Sequence, residues 1–270
     1  MCYDVSFTVN IRVLKDYFPQ LVYHSQLELD YKGQDAIQGV AIYPQYPVIY
    51  YPSAKQTDRD GHPHLRLMEW GVIRHTDKKE PSMLTRNKML NIRSERIFGD
   101  TDSYWHVIRN RRCLMPVTGI FEHREIFGWK EKVPYWIRPA DQPTFFLPAL
   151  YSVAWIPDNN GVLQERWTFA ILTRKANLVM SQIHNSRENP LRMNLFLPLD
   201  MAKEFLSPTL TTARYKDVLE YEIPSEALMY HPTDSIRSKL PRKDGKRKHE
   251  FKDWVGMPAL GNNPLGLSFE

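Results

Sequence analysis

Along most of the chain, apolar and polar positions alternate with a period near two, the signature of half-buried strands. "YDVSFTVNIRVL" near the start has this alternation, and "HLRLMEWGVI" has it again. "RRCLMPVTGIFEHRE" reads as strand, turn, strand, with Gly119 near the bend. "VPYWIRPADQPTFFLPALYSVAW" continues the β character, "ERWTFAILTRKAN" is a strand followed by a turn, and "LRMNLFL" is a further strand. "GVAIYPQYPVIYYP" is β-branched and aromatic, with prolines that suit edge strands or turns. Helical spacing is rarer. "LKDYFPQLVYHSQLELDY" has it, interrupted by Pro19. "EPSMLTRNKMLNIRSERI" opens like a capped helix and runs into a loop, and "LVMSQIH" is a short helix. "PLDMAKEFLS" combines a helix-start proline with an amphipathic period. There is no internal repeat and no βαβ rhythm. Many short strands with a few helices predict an α+β fold with a largely antiparallel sheet.

Composition narrows the class. The 270 residues suffice for one large core, and 42% hydrophobic with 25% charged residues is ordinary for a globular protein. No apolar run approaches the ~18 residues of a membrane span. No basic segment followed by an apolar stretch marks a secretory signal. Two cysteines, Cys2 and Cys113, do not make a disulfide framework, and a structural zinc site would need a denser Cys/His cluster. A reducing, cytoplasmic setting, no metal and no cofactor are the expectations. The net charge of +5 permits a polyanionic partner without demonstrating one. The composition changes near the C-terminus, where "RSKLPRKDGKRKHEFKDW" is basic and contains Pro and Gly. We divide the chain at this point, into a catalytic domain over 1–235 and a basic C-terminal extension over 236–270. The extension reads either as a solvated surface segment or as a nucleic-acid contact.

Cys2 offers unusual chemistry. A small second residue allows removal of Met1, which leaves an α-amine and a thiol on adjacent carbons. An α-amine has a pKa near ~7.7–8.0, so a neutral, nucleophilic fraction exists at physiological pH. It can attack a carbonyl to form a Schiff base. The thiol can then close a five-membered thiazolidine, which no internal cysteine can do. Alternatively the thiolate alone can attack an acyl group, or position 2 carries no function. Cys113 sits in an apolar strand and reads as core.

"EWGVI", "NIRSE", "RRCLMPVTGIFEH" and "FAILTRKANLVMSQIHN" follow Cys2 in an informative order. Together these segments resemble the SOS-response-associated peptidase family, proteins that shield abasic sites in single-stranded DNA by covalent capture. The resemblance spans roughly residues 1 to 206, and its specificity lies in five motifs in order. It implies a barrel-like architecture with peripheral helices. It implies Cys2 as nucleophile and Asn91 as the residue that orients the N-terminus or the opened sugar. Glu122 would be a proton shuttle, and His184 would assist ring opening and crosslink reversal. Arg93 would contact phosphate, and Trp70 and Pro44 fall in segments that line the family's DNA groove. The residue types suit the tasks. A carboxyl and an imidazole with tunable pKa values move protons, and an Arg fork matches phosphate oxygens.

The sequence also departs from the family pattern. Tyr3-Asp4 stands where Gly-Arg is usual, which exchanges a cation near the DNA for a carboxylate. Phe121-Glu122-His123 replaces Tyr-Glu-Trp, Ile92 replaces Ala, extra residues follow His184, and Asn194 stands where Pro is expected. The expected function is capture of abasic sites in single-stranded DNA by a monomer away from membranes, with a possible autopeptidase or abasic-site lyase activity. Two alternatives use the same residues: an N-terminal-cysteine peptidase with His184 as base, and a non-covalent single-strand-binding module in which Cys2 is incidental.

Overall fold

The computed structural model describes residues 3–25, 29–52, 60–186, 191–238 and 240–261. In chain order the strands are β1 (Asp4–Phe7), β2 (Val22–Tyr23), β3 (Gln34–Gln38), β4 (Gln45–Tyr50), β5 (His64–Trp70), β6 (Asn91–Arg93) and β7 (Arg112–Val117). They continue with β8 (Gly119–Arg124), β9 (Val133–Pro139), β10 (Phe145–Pro157), β11 (Leu163–Lys175), β12 (Arg192–Asn194) and β13 (Leu228–Pro232). The helices are α1 (Leu14–Tyr17), α2 (Met83–Asn87), α3 (Arg96–Gly99), α4 (Tyr104–Val107), α5 (Leu178–Ile183), α6 (Leu199–Leu206) and α7 (Thr212–Glu220). Sheet dominates, as the alternating pattern predicts, and the helices are peripheral, as the resemblance implies.

Five strands close into a barrel. β4 pairs antiparallel with β5 and β7, β7 with β10, and β10 with β11. The ring closes where β11 runs parallel to β5, with Phe169 opposite Trp70. The C-terminal end of β11 carries two short strands. β6 is parallel to it, with Ile171 opposite Asn91, and β12 is antiparallel, with Thr173 opposite Asn194. A second, antiparallel sheet has the order β13-β9-β8-β1-β3. The chain crosses from barrel to second sheet between β7 and β8, through Thr118 and Gly119. A side chain at Gly119 would collide with the Trp136 indole at 1.9 Å, so only glycine lets the two strands meet there.

The sheets pack through an aromatic layer. Phe7 of the second sheet meets Tyr46 of β4 with centroids 6.1 Å apart, Tyr46 meets Phe169 at 6.4 Å, and Phe169 stacks on Trp70 at 6.4 Å. All four rings are fully buried. Arg112 pins the helical cap to this core, donating from buried guanidinium nitrogens to the carbonyls of Phe205 and Ser207, each at 2.7 Å.

Some local expectations are corrected. Within the described part of residues 14–31, the helical reading is realised as α1, which stops at Tyr17 ahead of Pro19, and again at Leu29, while Val22–Tyr23 between them is a strand; residues 26–28 lie outside the described residues. The opening strand ends at Phe7 because the Asn10 side chain accepts the Arg12 N–H and caps a 3-10 turn over Ile11–Val13. Ser82 caps α2, as its sequence suggests, by accepting from the Thr85 N–H. Among the described residues no helix is long and apolar enough to cross a membrane.

Candidate active site

At the seam between the sheets, β8 and α5 bring two polar side chains together in a buried space, and β12 adjoins them through Arg192. β8 places Glu122 on the face that it shares with Ile120, turned toward the barrel, and Glu122 is 4% exposed. The side chain of Asn177 accepts the Met180 N–H and starts α5, and His184 is the residue on which α5 ends. The His184 backbone is held from both sides. Its N–H donates to the Met180 carbonyl at 2.8 Å, and its carbonyl accepts from Leu191 N–H at 2.9 Å. The ring is fixed by the Arg192 backbone N–H, which donates to Nδ1 at 3.4 Å. Nδ1 must therefore carry its lone pair, and in the neutral ring the proton sits on Nε2. Nε2 lies 3.8 Å from Glu122 Oε2, with both side chains buried. That separation is too long for a direct hydrogen bond and short enough for one reacting oxygen or nitrogen to meet both groups.

β6 and β12 both pair with the C-terminal end of β11. Residues opposite one another across a ladder share a face, so Asn91, Thr173 and Asn194 lie on the side of Phe169 and Trp70, which packs against the second sheet. Asn91 is buried and Arg93, two residues on, is exposed at the rim. The Leu90 carbonyl receives the Trp70 indole N–H at 3.0 Å, which anchors the backbone just ahead of Asn91. Asn194 is wholly buried, and among the described residues neither end of its side-chain amide has a hydrogen-bond partner.

Arg192 and Glu95 form a further pair at the site. Both Arg192 η-nitrogens grip the Glu95 carboxylate, and one also donates to the Thr173 carbonyl at 2.8 Å. Burial pushes the Glu95 carboxyl up, and its bonds to Arg192 outweigh this and hold it below the ordinary glutamate range. The pair ties β6 to β12, and with it the backbone that fixes His184. Both residues fall inside quoted segments, "NIRSE" and "LRMN", yet sequence reasoning assigns them no role. Their opposite charges were the available signal, and nothing in the spacing showed that residues 95 and 192 meet.

The other expected site residues are distributed differently. Cys2 lies outside the described residues. β1 starts at Asp4, which pairs with Phe121, so the N-terminal end of the described chain leaves the sheet beside Glu122. Pro44 is a half-buried loop residue whose carbonyl accepts the Trp70 backbone N–H at 3.1 Å. Trp70 is 0% exposed, stacked on Phe169 and packed so tightly against Gly39 that an added Cβ would stand 2.7 Å from the ring. It offers no face to a ligand, which corrects the placement of this residue in a DNA groove. Cys113 is buried, and burial pushes its thiol well up, away from a reactive thiolate.

The sequence model described as "SOS response associated peptidase (SRAP)" matches residues 1–236. No curated protein matches the chain. Several solved structures share the fold, three of which follow. A protein from Bacteroides thetaiotaomicron is 24% identical, covering 92% of this chain and 97% of its own, with a TM-score of 0.71. A protein from Bordetella bronchiseptica is 16% identical, covering 87% and 100%, with a TM-score of 0.64. A phage-related protein from the same organism is 19% identical, covering 87% and 95%, with a TM-score of 0.59.

Proposed function

The chain belongs to the SOS response associated peptidase family, with an SOS-associated, DNA-lesion-related role, and on that premise we propose that it captures abasic sites in single-stranded DNA covalently through Cys2. The observation that carries this reading is the buried Glu122–His184 pair, 3.8 Å apart, whose glutamate stands on the strand beside which the N-terminal end of the described chain leaves the sheet.

The chemistry balances without a cofactor. After removal of Met1, the neutral Cys2 amine adds to the aldehyde of the ring-opened abasic sugar to give a carbinolamine. Loss of the carbinolamine hydroxyl as water gives an imine. The Cys2 thiol then adds across the C=N bond, sulfur to carbon and proton to nitrogen, and closes a thiazolidine. One water is released in total and nothing is oxidised or reduced. Glu122 relays the proton taken from the attacking amine. His184 serves the sugar end, assisting ring opening on the way in and thiazolidine opening on the way back. Asn91 supplies an uncharged donor and acceptor to orient the amine or the opened sugar, and Arg93 at the rim meets phosphate.

Intact mass spectrometry of the protein, incubated with and without an abasic single-stranded oligonucleotide, tests the reading. The expected species is protein plus oligonucleotide less one water, stable to denaturation and absent with lesion-free DNA. A transient acyl adduct on a peptide would move the assignment to a peptidase. Binding without any adduct would leave a non-covalent module.

A further inference from the structure

The family match ends at residue 236, and the chain continues. The described part of that continuation is folded against the second sheet and returns toward the candidate site. Ile236 packs with Phe121 and Trp136 on the outer face of the sheet. Arg237 then places Nη2 2.8 Å from a carboxylate oxygen of Asp4, the buried first residue of β1. Further on, the Lys248 N–H and His249 Nδ1 both bond the Asp35 carboxylate in β3. The segment then turns back toward the site. Arg124, two residues after Glu122, donates to the carbonyls of Pro258 at 2.6 Å and Ala259 at 3.1 Å. The Gly261 N–H meets the Gln182 side chain, two residues before His184.

Between these anchors lies a built loop. Arg242 is 7% exposed, and its guanidinium donates to the carbonyls of Arg247 at 3.2 Å, Glu250 at 2.6 Å and Phe251 at 3.2 Å, and to the Asp244 carboxylate. A buried cation satisfied by that many acceptors fixes the backbone of the loop around it. Lys243, Lys246 and Arg247 on the same loop are exposed.

Charge counting gives this loop its meaning. Residues 237–261 contain eight Lys/Arg and three Asp/Glu, a net of +5, which equals the net charge of the whole chain. The remainder therefore carries as many acidic as basic residues, and the excess positive charge of the chain is the excess of this segment. The segment begins by neutralising Asp4, the carboxylate at the start of β1, with a guanidinium that remains 40% exposed.

We propose that residues 237–261 form a cationic arm that binds the phosphate backbone of the single strand flanking the candidate site, an inference that rests on the DNA-capture reading above. The arm is anchored at Asp4 on the outer face of the second sheet and at Gln182, two residues before His184, so it runs from the face away from Glu122 round to the end of the molecule that carries His184. The exposed cations of its loop, Lys243, Lys246 and Arg247, are two point charges and one fork, with no base-reading amide among them. The arm therefore supplies affinity without sequence preference.

The test uses the full chain carrying Lys243→Glu, Lys246→Glu and Arg247→Glu together. The readout is fluorescence anisotropy of a labelled, lesion-free oligo-dT strand across a salt series. Each phosphate contact contributes a slope of about 0.7 in log affinity against log salt for single strands, so three lost contacts flatten the slope by about 2. Affinity at low salt should fall by about tenfold or more, while adduct formation on an abasic strand at saturating DNA keeps the wild-type rate. The glutamine version of the same triple variant, with an unchanged melting temperature, separates loss of contact from misfolding or repulsion and should shift in the same direction. Wild-type affinity and slope in both variants, with a wild-type protein that does bind the strand, overturn the arm alone. A wild-type protein that neither binds the strand nor forms an adduct overturns the DNA-capture reading, and the arm with it.

Discussion

Glu122 Oε2 and His184 Nε2 face one another across 3.8 Å in a buried space, with the far side of the imidazole fixed by the Arg192 backbone N–H. The backbone contact sets the tautomer, and the tautomer makes Nε2 a donor toward the carboxylate. The pair can thus pass a proton in either direction through a group held between them.

Separate substitutions should divide their roles. Glu122→Gln keeps the shape and removes the titrating group, so adduct formation slows while DNA affinity holds. His184→Ala slows capture of the closed sugar and also slows reversal of the finished adduct. A general acid or base contributes roughly 100- to 10,000-fold in rate, and a reactive aldehyde places these effects at the lower end. Gel-resolved time courses of capture and of release read both steps. Wild-type rates for both variants in both directions would remove Glu122 and His184 from the chemistry.

A buried ion network behind the site sets an acid limit on stability. The Glu69 carboxylate receives Arg166 Nη2 at 2.6 Å, and Arg86 Nη2 and Arg166 Nε bond it as well. Arg86 Nε also donates to the Gly71 carbonyl at 3.1 Å, so the network holds the Trp70-Gly71 turn that leads to β6 and Asn91. Gly71 has φ +120, a conformation that side chains rarely adopt, which explains the Trp-Gly pair of the motif. Burial pushes the Glu69 carboxyl up, and the bonds and charges of Arg166 and Arg86 overcome it and hold the carboxyl below the ordinary value. A depressed folded pKa means that the stabilisation is complete above the unfolded value, near ~4.3, and is lost as pH falls through the lower folded value. The melting temperature should therefore drop on acidification below about pH 4. Glu69→Gln should be destabilised at pH 7, by about 3 kcal/mol if the cost matches the lower end for breaking a buried pair, and should show a weaker acid dependence. A variant with the wild-type acid profile would show that another carboxylate governs acid unfolding.

Trp70 separates core from surface. Its indole is fully buried and donates to Leu90, so Trp70→Ala should cost about 3–5 kcal/mol in stability. The milder Trp70→Phe should lower the melting temperature and leave the affinity of the folded protein for a lesion-free strand unchanged. A selective loss of DNA affinity at wild-type stability would return this residue to a binding surface.

The strands were legible in the sequence because alternation is local. "HLRLMEW" is β5, and "RRCLMPVTGIFEHR" divides at Thr118 into β7 and β8, with Gly119 where the bend was expected. The barrel was legible only through the family resemblance, because its closure depends on β11 lying parallel to β5 across about a hundred residues, and no local pattern encodes that partner. The Glu122–His184 encounter became visible through motif order, while the physics of each residue alone allowed a structural role. Trp70 shows the converse, since a tryptophan beside a glycine reads equally well as platform or core until packing against Gly39 and Phe169 decides. Arg237 on Asp4 was beyond reach, because the two residues lie at opposite ends of the chain. The basic run itself was plain, and what it folds against was not.

In the proposed capture, removal of Met1 gives Cys2 an amine that no internal cysteine has. Three forms of the protein separate amine from thiol. Wild type with Met1 removed should give an abasic-DNA adduct that survives denaturation. Cys2→Ser retains the amine and loses the sulfur, so it can form a labile imine, or nick the strand from that imine, and cannot hold a stable thiazolidine. Protein with an uncleaved N-terminal tag retains the thiol and converts the amine to an amide. The amide lone pair is delocalised into its carbonyl, so the nitrogen no longer attacks an aldehyde. This form should bind single strands and capture nothing. A peptidase thiol would keep its activity behind such a tag wherever it still reached a substrate, so peptide cleavage by the tagged form would favour that reading. Denaturing gels with borohydride added to one half of each reaction distinguish the species, because borohydride traps the imine of Cys2→Ser and has no imine to trap in the tagged form. A denaturation-stable adduct without borohydride, from either altered form, would exclude the thiazolidine.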